Sequence, residues 1–297
     1  MAYTTLISVE QLQALLASGQ PCRVFDCSFD LTQPQAGAAQ YTEAHIPGAV
    51  YAHLDQHLSA AKDPATGKAA PGTATSGGRH PLPTRETFAA WLGSVGFDNR
   101  MQAVVYDRQG ANYCGRLWWM LKWAGHDKVA VLDGGLQAWQ AAGGAIDRGP
   151  QEKVVATNYA LARELIELVA IETVANRLHH GASAAQTLID ARGAPRFRGE
   201  VEPLDPVAGH IPGALNRPFT ENIGPDGRFK PAEQLKAEFQ ALLGTRDPAG
   251  VVHHCGSGVS AVPNILAMEI AGLHGSSLFA GSWSEWCSDP SRPVAVG

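Results

Sequence analysis

His45-Ile46-Pro47-Gly48-Ala49-Val50 returns later in the chain as His210-Ile211-Pro212-Gly213-Ala214-Leu215. The echo extends in both directions. Upstream, Val24-Phe25-Asp26 matches Leu188-Ile189-Asp190, and Ile7-Ser8-Val9-Glu10 resembles Val169-Ala170-Ile171-Glu172, each opening a helix-like pattern. Downstream, Ala103-Val104-Val105 matches Gly250-Val251-Val252. The last echo sets Leu132-Asp133-Gly134-Gly135-Leu136-Gln137-Ala138-Trp139 against Phe279-Ala280-Gly281-Ser282-Trp283-Ser284-Glu285-Trp286. The order is kept throughout, so the chain is internally duplicated. Each half alternates short apolar strands with helical segments, over 12–17, 88–92 and 117–123 in the first half and 235–243 and 265–270 in the second. That alternation predicts an α/β fold in each half, a mainly parallel sheet flanked by helices. The 297 residues suit two domains, expected at 1–147 and 159–297 with a linker over 148–158 that includes Gly149-Pro150.

Composition narrows the function classes. Hydrophobic residues make up 45% and charged residues 17%, enough for real cores. A net charge of −5 and the absence of a Lys/Arg cluster argue against a nucleic-acid surface. No apolar run approaches the roughly 18 residues that span a membrane. The N-terminal Met1-Ala2-Tyr3-Thr4-Thr5 has neither a secretory nor a transit character. Five scattered cysteines (Cys22, Cys27, Cys114, Cys255, Cys287), with no CxxC pair, suggest free thiols in a reducing compartment, the cytoplasm. Adjacent histidines at 179–180 and 253–254 raise a metal reading, but neighbours on a strand point to opposite faces, so no metal is expected.

The chemistry concentrates in His253-His254-Cys255-Gly256-Ser257-Gly258-Val259-Ser260-Ala261. An apolar run leads into it and a helical stretch, 262–271, follows. Glycines let successive N–H groups turn inward, and a helix N-terminus adds partial positive charge; both favour S⁻ over SH. Taken alone, the segment reads equally as a reactive thiol or as a buried core cysteine beside a turn. Aligning Val104-Val105 with Val251-Val252 sets Asp107-Arg108 where the second half has His254-Cys255, so the first half lacks the thiol. Cys114 falls later, in the next helix, as a packed residue.

Together these segments resemble the tandem rhodanese-type sulfurtransferases, and the resemblance covers nearly the whole chain. It implies two rhodanese-like α/β domains, the first degenerate and the second catalytic. Thiosulfate sulfurtransferases of this family carry Cys-Arg-Lys-Gly-Val-Thr in the loop. Cys255-Gly256-Ser257-Gly258-Val259-Ser260 is instead similar to the Cys-Gly-Ser-Gly-Val-Thr of 3-mercaptopyruvate sulfurtransferases, with Ser260 keeping the hydroxyl. Neutral small residues leave no loop side-chain charge for an anionic donor, which must be held elsewhere.

The resemblance further implies Cys255 as nucleophile and an Asp55–His80–Ser257 triad that moves a proton. Read from the residues alone, Asp55 and His80 are ordinary loop residues around a Gly/Ala/Thr-rich insertion at 65–78. The loop N–H groups from Gly256 to Ser260, through Gly258 and Val259, would stabilise the anionic sulfur. Arg196, in Pro195-Arg196-Phe197-Arg198-Gly199, matches the family's carboxylate-binding arginine. A second family arginine lies nine residues on, where this chain has Asp205. Arg198 is either its substitute or a surface salt-bridge residue.

The expected reaction is sulfur transfer from 3-mercaptopyruvate through a Cys255 persulfide to cyanide or to a thiol such as thioredoxin or a small dithiol. It uses no cofactor and is carried out by a monomer without nucleic-acid or membrane partners. Thiosulfate as donor is the alternative. A cysteine phosphatase would need an arginine where Ala261 stands, and a non-catalytic binding module is marked by a missing cysteine.

Overall fold

In this computed structural model residues 2–151, 153–180 and 186–297 are described, the side chains of 177–180 excepted; His179 and His180 lie outside the described side chains. The chain divides into two compact units, one of Met1–Ser59, Pro83–Leu165 and Pro225–Phe229, the other of Ala60–Leu82, Ile166–Gly224 and Lys230–Gly297. This departs from the expected 1–147, 148–158 and 159–297 division. The expected linker packs along the first unit, where Thr157 donates its N–H to Gly93 O (2.8 Å) and its hydroxyl to Phe97 O (2.7 Å). Residues 60–82 belong to the second unit. Among the described residues no helix is long and apolar enough to cross a membrane.

The first unit runs β1 (Leu6–Ile7), α1 (Val9–Ala17), β2 (Cys22–Asp26), α2 (Ala36–Glu43), β3 (Val50–Tyr51), α3 (Arg85–Ser94), β4 (Gln102–Tyr106), α4 (Cys114–Trp123), β5 (Val129–Leu132) and α5 (Gly135–Ala141). Its sheet has the order β1-β5-β4-β2-β3, every neighbouring pair parallel. Such a sheet needs cover on both faces, and β4, the middle strand, is buried along its whole length. Helix α1 starts where Ser8 and Gln11 cap each other, Ser8 Oγ accepting the Gln11 N–H and Gln11 Oε1 the Ser8 N–H.

The second unit runs α6 (Ile171–His180), β6 (Thr187–Asp190), α7 (Ala194–Phe197), β7 (Leu215–Asn216), α8 (Ala232–Leu243), β8 (Val251–His254), α9 (Val262–Ile270), β9 (Ser277–Leu278) and α10 (Ser282–Trp286). Its parallel sheet has the order β7-β6-β8-β9, and a parallel bridge from Leu168 to Leu278 takes the place of β1. Leu188, Val252, Phe279, Trp283 and Trp286 form its core.

The repeated His-Ile-Pro-Gly-Ala segment explains itself locally. Ala49 and Ala214 donate their N–H groups back to Ile46 and Ile211 (2.9 and 3.1 Å), closing turns that carry proline second and a glycine with φ +70° or +75° third. Each histidine stacks on an aromatic ring, His45 on Tyr41 at 4.0 Å and His210 on Phe197 at 3.7 Å. Each also closes an antiparallel bridge, to Asp147 and Ala295 respectively.

Strand register corrects the alignment of the halves by one residue. Asp26 pairs with Tyr106 and Asp190 with His254, and each aspartate accepts the N–H of the residue two positions on, Ser28 or Arg192. Asp107, not Arg108, therefore occupies the position of Cys255. Helices α4 and α9 begin the same distance beyond those two residues. In the first unit the carboxylate of Asp107 fills the turn between strand and helix. It accepts N–H groups from Gln109 (2.9 Å), Ala111 (3.1 Å), Tyr113 (2.8 Å) and Cys114 (2.9 Å). Burial raises its pKa, and these four donors oppose the rise. Asp107→Ala leaves the buried donors unpaired and is expected to cost about 3 kcal/mol of stability, read from denaturant unfolding. A loss below about 1 kcal/mol would contradict this.

His253 and His254 point to opposite faces of β8, as adjacent strand residues must. His253 Nε2 lies 3.2 Å from Met268 Sδ, and His254 Nδ1 lies 3.9 Å from Asp190. Burial depresses both, to about 3 for His253 and about 4 for His254. The unfolded chain, with histidines near 6.5, takes up protons that the fold refuses. Stability is therefore full above about pH 6.5 and lost on acidification toward those values, by up to about 1.4 kcal/mol per pH unit per histidine. His253→Leu is expected to make this acid limb shallower by about one proton in pH-dependent denaturation; an unchanged slope would contradict it.

Candidate active site

Cys255 directly follows β8 and is 2% exposed. Its carbonyl accepts the Trp283 N–H (3.0 Å), and its N–H donates to Ser282 Oγ (3.0 Å), which in turn donates to Phe279 O (3.0 Å). Ser282 holds φ +55°, a left-handed conformation costing about 1 kcal/mol in a non-glycine residue, where the first unit places Gly135 at φ +59°. The serine is thus retained against backbone strain while its hydroxyl ties the cysteine to α10. Gly258 has φ +72°, and a methyl group there would run into the Ala280 carbonyl, so the loop can turn only with glycine at this point.

The N–H groups of Gly256, Ser257, Val259, Ser260 and Ala261 donate to no backbone carbonyl among the described residues. The equivalent turn of the first unit spends its N–H groups on one carboxylate. The second places Cys255 at the head of the equivalent turn, where the Val262 N–H, the counterpart of that of Cys114, donates instead to Val259 O (3.1 Å). The other four cysteines are held as thiols by burial: Cys22 is pushed up to about 11, Cys287 is raised, and Cys27 and Cys114 lie well above their ordinary value. All five are free.

Two predicted residues come together. His80 Nδ1 and Ser257 Oγ lie 2.7 Å apart, both buried. The segment bearing His80 is fixed on α10, where Gly77 N–H donates to Glu285 Oε1 (3.1 Å) and Arg79 N–H to Ser284 Oγ (3.0 Å). A side chain at Gly77 or Gly78 would collide with Glu285 or Ser284, so the two glycines permit this approach. Asp55 sits in the first unit, its N–H donating to His53 Nδ1 (3.1 Å).

Sequence reading missed the arginine network beside the loop. Asp190 binds Arg192 (2.7 Å), Arg192 binds Glu202 (3.3 Å), Glu202 binds Arg196 (2.7 Å), and Arg196 reaches Asp205 (3.3 Å), which also pairs with Arg79. Burial would raise the Asp190 and Glu202 carboxyls, but the neighbouring His254 and Arg192, and Arg196 respectively, hold them below their ordinary values. A methyl group built at Gly256 would lie 2.9 Å from Arg79 Nη2 and 3.6 Å from Arg196 Nη1, which puts Arg196 against the loop. Arg198 is turned away, 43% exposed and paired with the exposed Glu200 (2.7 Å); it takes the surface salt-bridge alternative. No sequence signal marks Arg79 beyond its adjacency to His80.

The profile described as a rhodanese-like domain matches residues 8–142 and 171–289. A Pseudomonas aeruginosa protein named "Probable 3-mercaptopyruvate sulfurtransferase" is 44% identical over all of this chain and all of its own length. "Thiosulfate/3-mercaptopyruvate sulfurtransferase 1, mitochondrial" of Arabidopsis thaliana is 31% identical over 97% of this chain and 77% of its own. Among solved structures, that of SseA from Escherichia coli, described with the rhodanese fold of 3-mercaptopyruvate sulfotransferases, superposes with a TM-score of 0.76 at 29% identity. It covers 95% of this chain and 100% of its own.

Proposed function

Because the chain belongs to the rhodanese-like family, with two copies of the domain, we propose that it is a sulfurtransferase that moves the sulfur of 3-mercaptopyruvate through a Cys255 persulfide. The observation that carries this is the pair of matched turns. Where the first unit wraps four N–H groups around the Asp107 carboxylate, the second sets Cys255 before a turn in which three of the four counterparts, the N–H groups of Ser257, Val259 and Ala261, donate to no backbone carbonyl among the described residues. A frame that holds one anion in the first unit suits an anionic sulfur in the second.

In the first half-reaction the Cys255 thiolate attacks the donor sulfur. The S–S bond forms as the C3–S bond breaks, and the electron pair stays on C3 as the enolate of pyruvate. A proton delivered to C3 completes pyruvate, the donor's thiol hydrogen is given up, and the persulfide anion remains in the loop. Ser257 and His80, in hydrogen-bond reach of each other, supply the proton path, with Asp55 orienting the imidazole. Arg196 receives the donor carboxylate. In the second half-reaction a thiol, such as thioredoxin or a small dithiol, or cyanide in an assay, takes the outer sulfur. We assign the protein to the cytoplasm, where thiols stay reduced, and to a monomer.

Thiosulfate is the second reading, favoured by the two guanidiniums at Gly256, which offer an anionic donor the charge the loop lacks. The kcat/KM values for the two donors separate the readings. A higher value for 3-mercaptopyruvate is expected, and a strong preference for thiosulfate would overturn it.

A further inference from the structure

The resemblance leads one to expect a second arginine at position 205, and the chain carries Asp205 there. Asp205 is not a hole in the site. Its side chain is 2% exposed, one oxygen pairs with Arg79 Nη1 and the other accepts from Arg196 Nη2 at 3.3 Å. One carboxylate thus fixes two guanidiniums, and Glu202 fixes the second again through Arg196 Nε (3.2 Å) and Nη2 (2.7 Å). Both arginines keep one terminal nitrogen unspent among the described residues, Nη2 on Arg79 and Nη1 on Arg196. Both of those nitrogens converge on Gly256, the residue after the nucleophile, at 2.9 and 3.6 Å from the place a methyl group would take. The backbone holds Arg79 there independently, through its N–H bond to Ser284 Oγ (3.0 Å), while the Arg79 side chain stays partly open to solvent.

We propose that Arg79 is a substrate-binding residue, supplying the second guanidinium of a clamp for the carboxylate of a small 2-oxo acid donor, and that Asp205 is the positioning residue that aims Arg79 and Arg196 together. The positive charge expected at 205 is delivered instead from position 79, and the negative charge at 205 holds it in place. A carboxylate accepts hydrogen bonds along both oxygens, so two guanidiniums approaching from different segments fix its orientation more closely than one. Gly256 carries no side chain because the space above it belongs to Arg79 Nη2 and the donor.

The inference rests on the sulfurtransferase reading, and the test separates the two. Initial rates are measured with 3-mercaptopyruvate and with mercaptoacetone, the same thiol-ketone with a methyl group in place of the carboxylate, for wild type, Arg79→Gln, Arg79→Asp and the charge exchange Arg79→Asp with Asp205→Arg. Arg79→Gln is expected to raise KM for 3-mercaptopyruvate by about tenfold or more, the scale of one lost charged hydrogen bond, with a smaller change in kcat. Its kcat/KM for mercaptoacetone is expected to stay within about twofold of wild type, because that donor has nothing for Arg79 to hold. The exchanged pair is expected to recover most of what Arg79→Asp alone loses. A wild type that consumes 3-mercaptopyruvate beside an Arg79→Gln variant of unchanged KM would overturn the inference alone. So would equal losses on both donors, which mark a merely structural arginine. A wild type that forms no pyruvate from 3-mercaptopyruvate would overturn the function and the inference together.

Discussion

Cys255→Ser is expected to lower kcat/KM for 3-mercaptopyruvate by at least about a thousandfold while leaving the unfolding midpoint near that of wild type. Serine fits the space, since Cys255 is held through its backbone N–H and carbonyl by Ser282 and Trp283 rather than through its sulfur. What it lacks is an ionisable, polarisable sulfur that can form and release an S–S bond. Nor can another cysteine take over. Cys27 and Cys114 are buried in the first unit and held as thiols, and Cys22 is pushed up to about 11. Donor-dependent pyruvate release and the melting curve together check this; a variant keeping a tenth or more of the activity would place the chemistry elsewhere.

The second large effect belongs to the proton path. His80→Asn is expected to reduce kcat by about 10²–10⁴, the usual range for a positioned acid–base group, with little change in KM. Ser257→Ala is expected to fall in the same range, because the hydroxyl and the imidazole, 2.7 Å apart, act as one unit. The double variant should then be hardly worse than either single one, a non-additivity that independent contacts do not produce. Additive losses across the cycle would show that Ser257 and His80 serve separate purposes.

What the sequence disclosed follows the range of the interactions involved. The Ile-Pro-Gly-Ala turns, the Ser8 cap and the glycine-rich Cys255 loop are local, so their residues report them directly. The duplication made the sheets legible, although Val-Val matching put the two central strands one residue out of register. Those strands are buried on both faces and have no alternation to fix a register; the buried aspartates Asp26 and Asp190 are the better markers. The one-residue shift matters, because it places Asp107, the internal anion, opposite the nucleophile.

Less local features were invisible. Residues 60–82 belong to the second unit although they stand in the first half, and a turn-rich stretch carries no periodicity that would have said so. His80 and Ser257 could be paired only through the family resemblance, since nothing in either segment points to the other. The Arg79–Asp205 pair joins residues 126 positions apart and reads, in sequence, as the loss of an arginine rather than its relocation. Arg198 lay too close to Arg196 to be judged by spacing, and the short helix α7 turns it outward to Glu200.

The central claim is that an anion-holding turn has been given a thiol in the second unit. Intact-mass measurement of the wild-type chain after exposure to 3-mercaptopyruvate without an acceptor tests it most directly. A gain of one sulfur is expected, mapped to the Cys255 peptide, released as thiocyanate by cyanide and absent from Cys255→Ser. No gain in mass, or a sulfur carried by any of the other four cysteines, would contradict it.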